Sequence, residues 1–165
     1  MTSAEEEFDH RVHAWLSDQL SAQLADAPEH LPIGVMIAEV PGGGWVADEL
    51  VATAVAVSAP GADQHVEISC DFPSGQYYRR TPQDQEELFD HVAKAWTAGQ
   101  LRTALANIPV AVGIIVTFPG RPGDTLLEEQ VVVSAGPHTA ADGKPYFEIA
   151  CEFPAGRYDR RSTWR

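Results

Sequence analysis

Positive charge is scarce in this chain. Of its 165 residues 11 are Lys or Arg, against 24 Asp or Glu, a formal net charge of −13. Such a surface repels nucleic-acid backbones and anionic lipid, and favours a basic protein partner. The imbalance is uneven: residues 1–81 hold 13 acids and 3 bases, net −10, and residues 82–165 hold 11 acids and 8 bases, net −3. Cysteine is scarcer still. Cys70 and Cys151 have no CxxC spacing, which argues against a zinc site, and two cysteines do not make a disulfide framework. No apolar run reaches the roughly eighteen residues of a spanning helix. The opening "MTSAEEEFDH" is acidic, unlike a secretory signal or a transit peptide, so the expected compartment is the cytoplasm. The glycine-rich stretch "PGGGWVADEL" (41–50) joins two strand-like runs and opens no helix, which argues against a phosphate cradle. Trp45 beside it is a candidate partner anchor. No residue pattern calls for a cofactor or a metal.

What is present is a repetition. "HVEISCDFPSGQYYRR" (65–80) and "YFEIACEFPAGRYDRR" (146–161) agree at 9 of 16 positions, 81 residues apart. "FDHRVHAWLSDQLSAQL" (8–24) and "FDHVAKAWTAGQLRTAL" (89–105) agree at 8 of 17, at the same offset. Two long matches sharing one offset identify a tandem duplication of a unit of about eighty residues, 1–81 and 82–165.

Each unit reads as a helix followed by three strands. Phe8, Val12, Trp15, Leu16, Leu20 and Leu24 form one apolar helical stripe, with Ser3 and Glu6 at capping-box spacing. Phe89, Val92, Trp96, Leu101 and Leu105 form the second, with Thr81 as N-cap and Pro82 in the first turn. Apolar runs at 32–40 and 109–118 read as buried strands, and runs at 49–58 and 126–134 as their neighbours. The last strand alternates. Val66, Ile68, Cys70 and Phe72 face one way in the first unit, as do Phe147, Ile149, Cys151 and Phe153 in the second. The expected fold is therefore α+β, a tandem αβββ duplication with antiparallel meanders each packed by one helix. The two halves form a single compact pseudo-twofold domain.

This element order resembles that of the type III secretion chaperones and their bacterial relatives. The resemblance lies in order alone, without a shared motif, and implies a role in masking a partner protein.

Four sets of residues are candidates for function. The outward acids Glu67, Asp71, Glu148 and Glu152 suit recognition of a basic protein: four residues along a strand separate two carboxylates by about 13 Å, too far for one acid/base pair. Arg79, Arg80, Arg160 and Arg161 close the repeated turns, where arginines hold phosphate or carboxylate bidentately or pair with nearby acids. In the same turns Pro73 and Pro154 stop the strand, and Tyr77 and Tyr158 are placed to hydrogen-bond the turn backbone. His10 and His91 recur at equivalent positions, and would form one site if the two helices met at the twofold axis. The cysteines lie on the apolar strand face, where burial disfavours the thiolate and packing is the expected role.

These features point away from catalysis. The primary expectation is a cytoplasmic protein-binding module, an acidic inhibitor, immunity protein or chaperone that masks a basic partner such as a toxin or secreted effector. Homodimerisation is a further expectation. The alternative is a small-ligand binder or enzyme with its site at the pseudo-twofold interface between repeats.

Overall fold

The structure, a computed structural model, describes residues 7–43, 50–58, 64–108 and 111–159. The first repeat comprises β1 (Glu7–His10), α1 (Ser17–Leu24), β2 (Ile33–Met36), β3 (Leu50–Val57), β4 (His65–Asp71) and β5 (Gly75–Arg80). The second comprises β6 (Glu86–His91), α2 (Ala98–Ala106), β7 (Gly113–Pro119), β8 (Leu127–Thr139), β9 (Pro145–Glu152) and β10 (Gly156–Asp159).

This order corrects the α+β expectation. Among the described residues strand makes up 50% and helix 12%, and the helices do not each cover an open meander. The two three-stranded meanders close into one six-stranded barrel, β2-β3-β4-β7-β8-β9. Within each meander the pairs are antiparallel. The meanders join through two parallel seams, β4 with β7 and β9 with β2. Closure removes the edges that an isolated meander would expose. Outside the barrel, β5 pairs with β6 and β1 with β10, so both small sheets join one repeat to the other.

The expected long helices shrink to their second halves. Phe8 to His10 lie in a strand, and Thr81 and Pro82 precede a hairpin turn to β6 rather than a helix. The true N-caps, Leu16 and Thr97, are thirteen and sixteen residues later than expected in the two repeats. Leu16 N donates to Gln19 Oε1 at 2.8 Å, and Thr97 and Gln100 form a reciprocal capping box. Each helix is tied to the other repeat: Trp15 N donates to Val132 O and Trp96 N to Ala52 O, both at 2.7 Å. Trp15 and Trp96 are half-buried and pack against the core.

The alternation read on the last strands holds. Val66, Ile68 and Cys70 from β4 meet Phe147, Ile149 and Cys151 from β9 in one buried core, sealed by Leu20 and Leu24 of α1 and Leu101 and Leu105 of α2. The helices touch where Arg102 Nη1 donates to the Leu24 and Ala27 carbonyls, at 3.2 and 2.9 Å, capping the end of α1.

Gly99 in the first turn of α2 costs helix propensity, and the fold supplies the reason for it. Its amide donates to Glu29 O at 3.0 Å, and a Cβ there would lie 2.9 Å from Glu29 Cβ and 3.2 Å from Glu29 Cα. Gly99→Ala gains about 1 kcal/mol of propensity but forces the α1–α2 contact apart, at about 1–3 kcal/mol. The expected result is a net loss of stability in urea titration. A more stable variant would show that the Glu29 segment yields freely.

Candidate functional site

The pseudo-twofold produces two equivalent side-chain clusters, each built from both repeats. On one side His10 of β1 meets Glu152 at the end of β9. Its Nε2–H donates to Phe153 O at 3.1 Å and lies 3.5 Å from Glu152 Oε1. Glu152 Oε1 also accepts from Gly42 N at 2.6 Å, and its Oε2 accepts from Phe153 N at 3.1 Å. On the other side His91 of β6 meets Asp71 at the end of β4, with Nε2 at 3.2 Å from Oδ2. That approach is close enough for charge attraction but is not aligned as a hydrogen bond. Asp71 Oδ1 accepts from Phe72 N at 2.7 Å. Each acid therefore holds its own strand end with one oxygen and faces the other repeat's histidine with the other.

The repeated tyrosines complete the clusters as the sequence suggested. Tyr77 Oη donates to Pro73 O and Tyr158 Oη to Pro154 O, both at 2.7 Å. Each ring stands edge-on to its histidine, Tyr77 to His91 at 5.8 Å and Tyr158 to His10 at 5.9 Å between centroids. Burial, and then the Glu152 carboxylate, raise the Tyr158 hydroxyl above the ordinary phenol range. The hydroxyl is thus fixed as a donor.

This arrangement relocates several candidates. His10 and His91 do not form one site; they sit on different sheets, each against a carboxylate of the other repeat. Nor do Glu67, Asp71, Glu148 and Glu152 form an open acidic strip, because all four are half-buried. Asp71 and Glu152 serve the histidine clusters. Glu148 accepts from the Tyr146 hydroxyl and lies 3.9 Å from His138 Nδ1. Glu67 sits on the barrel wall opposite Ala56 and Ile115. Trp45, Arg160 and Arg161 lie outside the described residues.

Arg79 and Arg80 do converge on a site, with a third arginine that the repeat comparison did not single out. A cavity of about 420 Å³ lies between the repeats. Tyr78, Arg79 and Arg80 of β5 and Glu86 of β6 form one wall, and the turn at 121–124 forms the other. Phe89 sets this geometry. The Arg79 guanidinium lies 4.8 Å from the centre of its ring. Gly123, at φ +86°, brings the turn so close that a Cβ would lie 3.3 Å from Phe89 Cζ. Only glycine adopts that φ without strain. The signal was present in sequence: Pro122-Gly123 repeats Pro41-Gly42 at the 81-residue offset, and Gly42 likewise has positive φ beside His10.

The arginines are held, but weakly. Arg79 Nη2 is 3.4 Å from Glu87 Oε1, and Arg80 Nη1 is 2.9 Å from Asp84 Oδ1. Both pairs are more than half exposed on the arginine side, so each contributes about 0–1 kcal/mol. Arg121 is exposed and has no carboxylate partner among the described residues.

The thiols are unsuited to chemistry. Burial, and then the Asp71 charge, push the Cys70 thiol far up; burial, and then Cys70, raise Cys151. At neutral pH both stay protonated in the folded chain. We expect a colourless aromatic disulfide reagent to release its coloured thiolate from neither cysteine except at the rate of unfolding. A fast one-equivalent phase under native conditions would contradict the burial of one of them.

Among the described residues no helix is long and apolar enough to cross a membrane. No curated protein and no solved structure matches the chain. A family model does, twice, over residues 1–81 and 83–162, in agreement with the internal duplication. The chain belongs to the family of unknown function DUF6225, of which it carries two tandem copies.

Proposed function

We propose that this protein is a non-catalytic binding protein whose site is the cavity between the repeats, where β5 and β6 face the turn at 121–124. The observation that carries this reading is the convergence of Arg79, Arg80 and Arg121 on one cavity in a chain with only 11 basic residues. Its volume suits a small ligand. The absence of catalysis is supported by how the reactive groups are used: the thiols are buried, and the histidines and their carboxylates brace strand ends.

The test is amide NMR of the labelled chain against mixtures of anionic, neutral and cationic small molecules. Shifts should gather at residues 78–80, 86 and 121–124. A screen in which no compound of any charge moves these amides would overturn the reading.

A second reading, an acidic module that masks a basic protein, is favoured by the net charge of −13. Its contact acids would be exposed ones such as Glu87, Asp90, Glu128 and Glu129, since Asp71, Glu148 and Glu152 are engaged in the fold. Capture of one dominant basic protein at low salt, lost at high salt, is the expected result. A partner retained at high salt would count against charge as the basis of recognition.

A further inference from the structure

We propose, resting on the cavity reading above, that the ligand is a phosphate ester of a small polyol: the arginines take the phosphate, and Glu86 and Asp124 take hydroxyls. Three guanidiniums and two carboxylates line the cavity. Guanidinium forks match phosphate oxygens, two N–H donors to two acceptors, and hold a doubly charged group from several sides. Arg121, with no carboxylate partner among the described residues, can do so at once. Arg79 stacks its guanidinium face on the Phe89 ring and turns its edge to Glu87 at 3.4 Å, and Arg80 is steadied by Asp84 at 2.9 Å. Since both pairs are solvent-exposed, replacing Glu87 or Asp84 by a ligand phosphate sacrifices little.

The chain's overall negative charge does not forbid this. At physiological salt, exposed charges more than about 8 Å away are largely screened, so the cavity's own groups decide. Those groups also set selectivity. Glu86 and Asp124 weaken the local positive field, so a bare anion gains little. They are acceptors without donors of their own when ionised, and a ligand that brings hydroxyls beside its phosphate satisfies them. Tyr78, 67% exposed at the rim, adds a further hydroxyl and an apolar ring.

The experiment is titration of the full chain with glycerol phosphate, inorganic phosphate and glycerol, by calorimetry and amide NMR. Glycerol phosphate should bind at least tenfold more tightly than either of the others, with shifts at residues 78–80 and 121–124. R121Q should weaken it tenfold or more. E86Q with D124N should bring glycerol phosphate to within about threefold of inorganic phosphate. R80Q serves as the second variant if R121Q disturbs the turn. No binding of glycerol phosphate, equal affinity for inorganic phosphate, or unaltered binding in both arginine variants overturns the assignment. If neutral or cationic compounds shift these amides and phosphate esters do not, the cavity remains a binding site and the phosphate assignment alone falls. If nothing shifts them, both fall.

Discussion

Phe147→Ala should remove about 3–5 kcal/mol of stability, the cost of deleting a large buried ring. Phe147 is fully buried in the barrel. It sits on β9 beside Ile33 of β2, on the parallel seam between repeats, and opposite Pro137 of β8. Its amide donates to Pro32 O at 2.9 Å, so the backbone is pinned and cannot easily collapse into the vacated space. The pseudo-equivalent residue is Val66, also fully buried. Val66→Ala removes two carbons and should cost only about 2 kcal/mol. The two repeats are therefore unequal where their cores meet, the second filling more of the shared interior. Since a domain of this kind is stable by about 5–15 kcal/mol in total, the Phe147 variant loses roughly a fifth of its margin at the least. Urea titration should show a lower midpoint with an unchanged slope. A loss below about 1 kcal/mol would place the ring outside the core and contradict the register of β9.

What the sequence disclosed and what it hid divide along the distance between interacting residues. Alternation on β4 and β9 is a local pattern, and it correctly placed Val66, Ile68, Cys70, Phe147, Ile149 and Cys151 inside. The turn chemistry of Pro73 and Tyr77, and of Pro154 and Tyr158, is also local, spanning four residues. The small sheets are the opposite case. Phe8 pairs with Tyr158, and His10 with Gly156, so the partner that makes residues 7–10 a strand comes from the far end of the described chain. Read alone, Phe8, Val12 and Trp15 fit a helical stripe, and propensity yields to a tertiary partner that no window contains. The α+β expectation failed for this reason, and so did the meeting of His10 with His91. Once Phe8 to His10 and Phe89 to His91 are strands, each histidine lies beside the other repeat's strand end. The arginine cavity was half legible: Arg79 and Arg80 recur in the repeated turn, whereas Arg121 is brought to them by Gly123 and Phe89 across the repeat boundary.

Residues 1–81 expressed alone should yield no folded monomer. Every device that closes the fold crosses the repeat boundary. The half-chain keeps β2, β3 and β4, but β2 loses β9 and β4 loses β7, leaving two open edges. β1 loses β10 and β5 loses β6. His10 loses Glu152, and Asp71 loses His91. A three-stranded meander with one short helix buries too little apolar surface to offset the entropy of ordering about eighty residues. Because the two halves are pseudo-equivalent, the only folded form open to the fragment is a symmetric pair in which a second copy supplies the missing strands, with Val66 replacing Phe147 in a less filled core. Circular dichroism with sedimentation should find either a disordered monomer or a dimer, and the native spectrum should return when residues 82–165 are added in equal amount. The intact chain should unfold in a single transition for the same reason. A folded, monomeric 1–81 would mean that the repeat is a domain in its own right, and that the barrel seams join two finished units instead of completing one.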